Sequence, residues 1–212
     1  MKSSSPKTTP LPALAVFCSG RGSNLQALIN ATRRGRLRAR IVVVVSDQPK
    51  AFALVRAARA GIPTVVIQRA GVPSRNVFDR RLIAALAPHR VRLICLAGFM
   101  RVLSPAFVRQ FPRRILNIHP ALLPAFPGAH AVRDALAWGA KVTGVTVHLV
   151  DEEVDHGPIV PQEAVAIRPG ETESSLLARV HRVEHRLYPL AVQSLLAGRL
   201  RLRGRSATVR AT

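Results

Sequence analysis

Short apolar segments alternate with amphipathic segments through the first half of the chain. The apolar segments are ALAVFC, IVVVVSD, PTVVI and RLICLAG, which begin at residues 13, 41, 63 and 92. Near-continuous apolar runs of this length are typical of parallel strands that are covered on both faces. Helices are predicted between them at 23–34, 50–60 and 74–87. The alternation predicts a doubly wound α/β fold, which binds ligands at the carboxyl ends of its strands.

The rhythm changes after the next apolar segment, RILNIHP. A short helix is predicted near 130–138, followed by two strands, VTGVTVHLVD and PIVPQEAVAI, whose spacing favours an antiparallel pair. A long helix is predicted over 172–197, with a kink at Pro189 and an end at Gly198. The expected fold class is therefore α/β, with a mostly parallel Rossmann-like sheet, antiparallel strands in the C-terminal half and a long C-terminal helix.

Length and composition fit one globular domain. The chain has 212 residues, of which 48% are hydrophobic. We expect a disordered segment over 1–12, a single domain over 13–198 and a basic C-terminal tail over 199–212. No apolar run approaches the ~20 residues that cross a bilayer, and no signal peptide is recognisable, so we expect a cytoplasmic protein. Cys18 and Cys95 lie in apolar runs, which favours buried reduced thiols, and no metal site is predicted.

The formal net charge of +21 raises the question of nucleic-acid binding. Only four of the 32 basic residues are Lys, and the 28 Arg are spread along the chain rather than gathered in one block. The two largest aromatic residues, Trp138 and Tyr188, are isolated, so no basic groove with stacked aromatic side chains is indicated. We expect no specific nucleic-acid partner, and nonspecific polyanion contact chiefly from the tail.

Candidate chemistry begins at the end of the RILNIHP strand. Asn117 and His119 are two residues apart, so both side chains would point to the same face at the mouth of the sheet. A purely structural interpretation is also open, in which Asn117 caps a turn and His119 is a buried, hydrogen-bonded imidazole. The acidic stretch DEEVDHGP, residues 151–158, follows a later strand and is either a solvated loop or the source of a third polar group, Asp155.

Together an amide, an imidazole and a carboxylate suit acyl transfer. Asn117 and His119 would hold a developing oxyanion, while a carboxylate near His119 would raise the imidazole pKa, fix its orientation and help take up a proton. The first strand also runs into CSGRGSNLQALI, where a capping box is predicted over Ser23 to Gln26 and backbone amides would face an anion. This turn has neither the dinucleotide glycine spacing nor the Lys of a P-loop, and simple helix capping is equally open.

Four motifs in register resemble the phosphoribosylglycinamide formyltransferase family: SGRGSNLQAL, LAGFMRVLSPAFV, NIHPALLPAFPGAHA and VTVHLVDEEVDHGPIV. The resemblance covers about residues 13–197. It implies transfer of the formyl group of 10-formyltetrahydrofolate, a co-substrate, to the amine of glycinamide ribonucleotide in purine biosynthesis. It also implies that Asn117, His119 and Asp155 are the catalytic set, and that the partners are small molecules, with no membrane and a monomeric or homodimeric state.

The resemblance further implies two binding regions. Ribonucleotide phosphate and ribose would be bound by Arg21, Gly22, Ser23 and Asn24, with Glu184 near the glycinamide end. The folate pocket would be lined by the loop 151–156 and by Arg75, Met100, Arg101, Val102 and Leu103. Met100 and Leu103 could equally be ordinary core, Arg75 a solvated helix start and Glu184 an exposed helix carboxylate.

Three other classes of function stay open. Formyltetrahydrofolate deformylases and methionyl-tRNA formyltransferases resemble the chain in the same Asn, His and Asp set, and a basic nucleic-acid-binding module is the third alternative. We expect no tRNA-binding domain after residue 198, which disfavours the tRNA enzyme, and the binding module would require a silent catalytic set.

Overall fold

The computed structural model describes residues 10–210, so most of the segment expected to be disordered lies outside the described residues. The helices are α1 (Ser23–Arg33), α2 (Phe52–Arg59), α3 (Arg75–Leu86), α4 (Pro105–Gln110), α5 (Ala131–Ala137) and α6 (Glu173–Leu196). The strands are β1 (Ala13–Cys18), β2 (Arg40–Ser46), β3 (Thr64–Val66), β4 (Leu93–Leu96), β5 (Ile115–His119), β6 (Val142–Leu149), β7 (Ile159–Ala166), β8 (Leu200–Arg203) and β9 (Ser206–Val209).

Strands β1 to β7 form one sheet in the order β3-β2-β1-β4-β5-β6-β7. The first five strands are parallel, while β6 runs antiparallel to both β5 and β7. The predicted fold class, including the antiparallel pair in the C-terminal half, is confirmed. Because β1, β4 and β5 are parallel neighbours, their carboxyl ends meet at one edge of the sheet, where a doubly wound fold binds its ligands.

Each face of the sheet carries its own hydrophobic layer. On one face, Leu14 and Val16 of β1 belong to a cluster that includes buried residues of α1 and α6. On the other face, Ala15 and Phe17 belong to a cluster that includes buried residues of α3 and α4. Alternate side chains of one strand thus enter two cores, which explains the continuous apolar runs. Cys18 and Cys95 are buried free thiols, as predicted.

Helix α6 connects the core to the strands that carry the candidate site. It continues through Pro189 and ends at Leu196, before Gly198 in the left-handed conformation with φ 67°. The Tyr188 hydroxyl is fully buried and lies 2.8 Å from the main-chain carbonyl oxygens of both Leu96 and Leu116. The helix is therefore tied to the carboxyl end of β4 and to the second residue of β5. None of the helices in the described range 10–210 is sufficiently long and apolar to cross a membrane.

A short helix, α4, and the hairpin formed by β8 and β9 were not predicted. Helix α4 is only six residues long and opens with Ser104, whose side chain accepts a hydrogen bond from the Phe107 amide. The segment expected to be a basic tail contains the β8–β9 hairpin, and Leu200 and Leu202 pack against the core. The alternation of Leu and Arg before Gly204 is a strand-and-turn pattern, which the charge of the segment obscured.

Candidate active site

The three predicted catalytic side chains meet at the carboxyl end of β5. Asn117 Nδ2 lies 3.3 Å from Asp155 Oδ1, and His119 Nδ1 lies 3.4 Å from Asp155 Oδ2. Asp155 reaches them from the loop after β6, where it has a positive φ of 52°. The Gly128 amide donates a 2.8 Å hydrogen bond to Asp155 Oδ2. The carboxylate is therefore fixed from two sides against both β5 side chains.

The loop that carries Asp155 closes against the end of β6. A Cβ atom at Gly157 would lie 1.8 Å from the Leu149 carbonyl oxygen, so only glycine fits at this position. The Leu149 amide donates a 2.9 Å hydrogen bond to the Pro158 carbonyl. This close backbone approach returns the chain to β7 in a few residues and leaves Asp155 at the tip, facing β5.

The sequence interpretation missed a second imidazole, His148, which is almost completely buried. It lies opposite Asn117 in the β5–β6 register, with Nε2 at 3.1 Å from Asn117 Nδ2 and 3.6 Å from Asp155 Oδ1. His148 Nδ1 lies 3.0 Å from the Leu149 carbonyl oxygen, which requires a proton on Nδ1, and Nε2 faces both Asn117 and Asp155. Its signal in the sequence is a lone His in the apolar strand VTGVTVHLVD.

Burial has the largest effect on the pKa of His119, which is only 4% exposed. Desolvation lowers its pKa, while Asp155 and the Phe126 carbonyl raise it and His148 lowers it further, so the net pKa is below the usual value. Asp155 thus raises the His119 pKa, as the sequence predicts for a nearby carboxylate, but burial, which the sequence interpretation did not include, outweighs it. Burial alone would raise the pKa of Asp155, but His148, the Gly128 amide and the charge of His119 bring it below the usual value.

A cavity of about 270 Å³ opens in front of these four side chains. Its wall includes Met100, Arg101, Val102 and Leu103, all predicted for the folate pocket, and residues 151–155 of the acidic loop. Leu103 is buried, whereas Met100 is 60% exposed and is not core. Among the described residues, the wall does not include Arg75, which is the exposed first residue of α3, or His156.

Arg101 is held at the rim of the cavity by a buried carboxylate that the sequence interpretation also missed. Asp47 directly follows β2, and its Oδ2 lies 2.6 Å from Arg101 Nε. Gln48 Nε2 donates a 3.1 Å hydrogen bond to the same oxygen. The Arg101 side chain is 38% exposed, so its guanidinium is fixed at one side and open to solvent at another. Such a group can bind an anionic or carbonyl oxygen of a ligand.

The glycine turn after β1 differs from its predicted form. Helix α1 begins at Ser23, and the N-cap is Gly22, with φ 69° and no side-chain cap, so the predicted capping box is wrong. Gln26 instead donates to Asn30 and accepts from Arg56. A Cβ atom at Gly22 would lie 2.7 Å from the Ala53 Cβ, which explains why glycine is needed. The unfilled cap leaves the first amides of α1 available to an anion.

Glu184 is a buried carboxylate rather than an exposed helix residue. Asn24 Nδ2 donates a 2.8 Å hydrogen bond to its Oε2. Burial raises the Glu184 pKa to about 7, and the bond from Asn24 partly opposes that shift. The bond joins the predicted phosphate turn to α6. Two half-buried imidazoles, His181 and His185, lie beside Glu184 and stack on each other, with ring centroids 6.0 Å apart.

The glycine turn and the cavity are separate but connected. Arg21 to Asn24 and Glu184 are not among the described residues of the cavity wall. Ser19 connects the two regions, because its amide donates 2.9 Å to the Gly98 carbonyl and its hydroxyl accepts a 2.8 Å bond from the Met100 amide. Within residues 10–210, no group of three or more His, Cys, Asp or Glu side chains could hold a metal ion.

Comparison with known proteins gives the class to which this site belongs. A family model described as formyl transferase matches residues 13–192. The chain therefore belongs to the formyl transferase family. It is 41% identical to the phosphoribosylglycinamide formyltransferase of Escherichia coli strain K12 over 194 residues, which cover 92% of each chain. Within the family, the sequence places it among the phosphoribosylglycinamide formyltransferases.

Structural similarity agrees with this placement. Glycinamide ribonucleotide transformylase 1 from Symbiobacterium toebii superposes with a TM-score of 0.92, at 44% identity and 95% coverage of both chains. The trifunctional purine biosynthetic protein adenosine-3 of Drosophila pseudoobscura pseudoobscura is 50% identical over 194 residues. That match covers 91% of this chain but only 14% of the relative, so the chain spans about a seventh of the trifunctional protein.

Proposed function

We propose that the chain transfers the formyl group of 10-formyltetrahydrofolate to the amine of glycinamide ribonucleotide. Support comes from the convergence of Asn117, His119, His148 and Asp155 at the back of a cavity whose mouth carries apolar side chains and Arg101. An apolar cavity with a few convergent polar groups suits a flat heterocyclic donor that presents a carbonyl. The names of the relatives support formyl transfer as the reaction and the glycinamide ribonucleotide as the acceptor.

In the proposed reaction the amine nitrogen attacks the formyl carbon, and the carbonyl electron pair moves onto oxygen. Asn117 Nδ2–H and the His119 imidazole would donate hydrogen bonds to this oxyanion, and the Asn117 bond would replace its present bond to Asp155. The tetrahedral intermediate then breaks its bond to N10 of the folate, and N10 takes up a proton as the formylated amine loses one. Asp155 would tune His119 and assist this proton transfer.

The contacts of His119 support these roles, in which His119 stabilises the oxyanion and Asp155 assists proton transfer. His119 Nε2 lies 2.8 Å from the Phe126 carbonyl oxygen, which requires a proton on Nε2. Nδ1 faces Asp155 Oδ2 at 3.4 Å, so a proton released by the attacking amine could be held between these two atoms. Donation from Nε2 to an oxyanion would replace its bond to Phe126. The lowered His119 pKa leaves the imidazole able to accept that proton at neutral pH.

The remaining predicted residues divide between the two substrates. We propose that Arg21, Gly22, Ser23 and Asn24 bind the phosphate and ribose, with Glu184 near the glycinamide end. The first amides of α1 and the exposed Arg21 support an anion site there. Met100 to Leu103 and the loop 151–156 would bind the folate, with Arg75 at its outer end. We also propose a cytoplasmic monomer or homodimer without a specific nucleic-acid partner.

Hydrolysis of the same donor is the closest competing reaction, because it would use the same Asn117, His119 and Asp155. The observation that favours transfer is the second prospective subsite at the start of α1, joined to α6 by the Asn24–Glu184 hydrogen bond. A hydrolase that activates water has no use for a phosphate site beside the formyl cavity.

An assay with and without the second substrate separates the two reactions. The purified chain is incubated with 10-formyltetrahydrofolate, and both formate and formylated ribonucleotide are measured. We expect slow consumption of the donor alone and an acceleration of several orders of magnitude when glycinamide ribonucleotide is added. Equal formate release in both tubes, with no formylated ribonucleotide, would establish the deformylase alternative.

A further inference from the structure

The C-terminal hairpin reaches the loop that carries Asp155. Arg205 lies between β8 and β9, directly after Gly204. Its Nη1 lies 2.8 Å from His156 Nε2 and 3.1 Å from His156 Nδ1, and its Nη2 donates to the His156 main-chain carbonyl. One guanidinium thus contacts both the side chain and the backbone of a single loop residue. The hairpin lies beyond residue 192, where the family match ends.

The contact continues from His156 into the wall of the cavity. His156 Nδ1 lies 2.8 Å from Asp151 Oδ2, and Asp151 Oδ1 accepts a 3.1 Å hydrogen bond from the Glu153 amide. Asp151, Glu153 and Asp155 all line the cavity. This series of contacts therefore runs from His156 back to Asp151 and includes residues of the cavity wall.

The hydrogen bond from Arg205 to the His156 carbonyl lies next to a strained backbone position. His156 immediately follows Asp155, a non-glycine residue at a φ of 52°, a conformation that surrounding contacts must maintain. Arg205 holds the carbonyl on the far side of this residue, while the Gly128 amide holds its carboxylate. Packing of Leu200 and Leu202 against the core fixes the hairpin from which Arg205 extends.

We propose that Arg205 is a positioning residue, which holds the loop 151–156 in the shape that the formyl donor requires. This inference rests on the proposed function, because it assigns that loop to the donor side of the cavity. Arg205 contacts no reacting atom and acts through His156. Exposed polar contacts contribute little to global stability, so its effect is on local order rather than on unfolding.

The test compares Arg205→Ala with Arg203→Ala, which removes the same charge from the same hairpin. Among the described residues, the Arg203 side chain has no hydrogen bond or ion pair with the loop. Hydrogen exchange of a peptide over 151–157 is measured on the free, full-length protein. We expect exchange about 3- to 10-fold faster in Arg205→Ala and unchanged in Arg203→Ala, with melting temperatures equal to that of the wild type. Equal exchange in the two variants would overturn the proposal.

Steady-state kinetics give the second readout. In Arg205→Ala we expect the KM for 10-formyltetrahydrofolate to rise about 3- to 10-fold, with the ribonucleotide KM unchanged within about two-fold. Arg205→Lys keeps the charge but lacks the planar two-point contact, so it should restore less than half of either effect. Complete restoration by Lys, or equal changes in both KM values, would contradict the proposal. Exchange needs no turnover, so an inactive wild type would refute the proposed function while the exchange result stayed readable.

Discussion

Replacement of Asp155 by Asn tests the catalytic assignment with the smallest change in shape. The substitution keeps an oxygen that can accept the Gly128 amide, so the loop should retain its position. It removes the negative charge that faces His119 Nδ1 at 3.4 Å and His148 Nε2 at 3.6 Å. Since Asp155 raises the His119 pKa, its loss should lower that pKa further and disfavour the imidazolium.

The expected cost follows from these distances. A carboxylate and an imidazolium about 4 Å apart attract by about 4 kcal/mol at the effective dielectric of a partly solvated site. The Asp155 side chain is 11% exposed and the His119 side chain 4%, so solvent screens only part of this attraction. A loss of about 3 kcal/mol in transition-state stabilisation corresponds to about two orders of magnitude in turnover. We expect His119→Ala to lose at least as much.

The assay follows formylated ribonucleotide at saturating concentrations of both substrates. Asp134→Asn serves as the control, because it also neutralises one carboxylate but lies on α5, where its nearest cationic partner is the neighbouring Arg133. Circular dichroism checks that all variants remain folded. Turnover within a factor of about three of the wild type in both Asp155→Asn and His119→Ala would refute the assignment.

Three further predictions concern the rest of the molecule. Ser23→Asp should raise the ribonucleotide KM far more than the folate KM, because a carboxylate at the start of α1 suits the helix but repels a phosphate; equal changes would count against a phosphate site there. Glu184 has a pKa raised to about 7, so its folded form holds a proton more tightly than the unfolded chain. The wild type should therefore lose about 3 kcal/mol of stability between about pH 4.5 and 7, and a denaturation series in which Glu184→Gln shows the same slope would exclude this origin. Nucleic-acid binding, measured by fluorescence anisotropy, should be weak and fall steeply with salt, and tight sequence-selective binding at physiological salt would contradict it.

The sequence predicted the large sheet well because its inner strands, β1, β2, β4, β5 and β6, are buried on both faces and read as nearly continuous apolar runs. It indicated Asn117 and His119 as candidate site residues for a related reason, because two polar side chains at the end of an apolar strand are unexpected in a buried core. The pattern could not predict the capping of α1. Ser23 and Gln26 fit a capping box, but the close packing of Gly22 on Ala53 places the start of the helix one residue earlier than that motif requires.

His148 shows what a linear pattern cannot contain. Its role depends on the antiparallel register that sets it opposite Asn117, and that register is fixed by the packing of β5 and β6 rather than by either strand alone. The sign of the His119 pKa shift has the same origin. The sequence places a carboxylate within reach, but the degree of burial, which outweighs it, depends on how the whole sheet edge closes around the imidazole. A charge can thus be predicted from a motif, whereas its energetic effect depends on the surrounding fold.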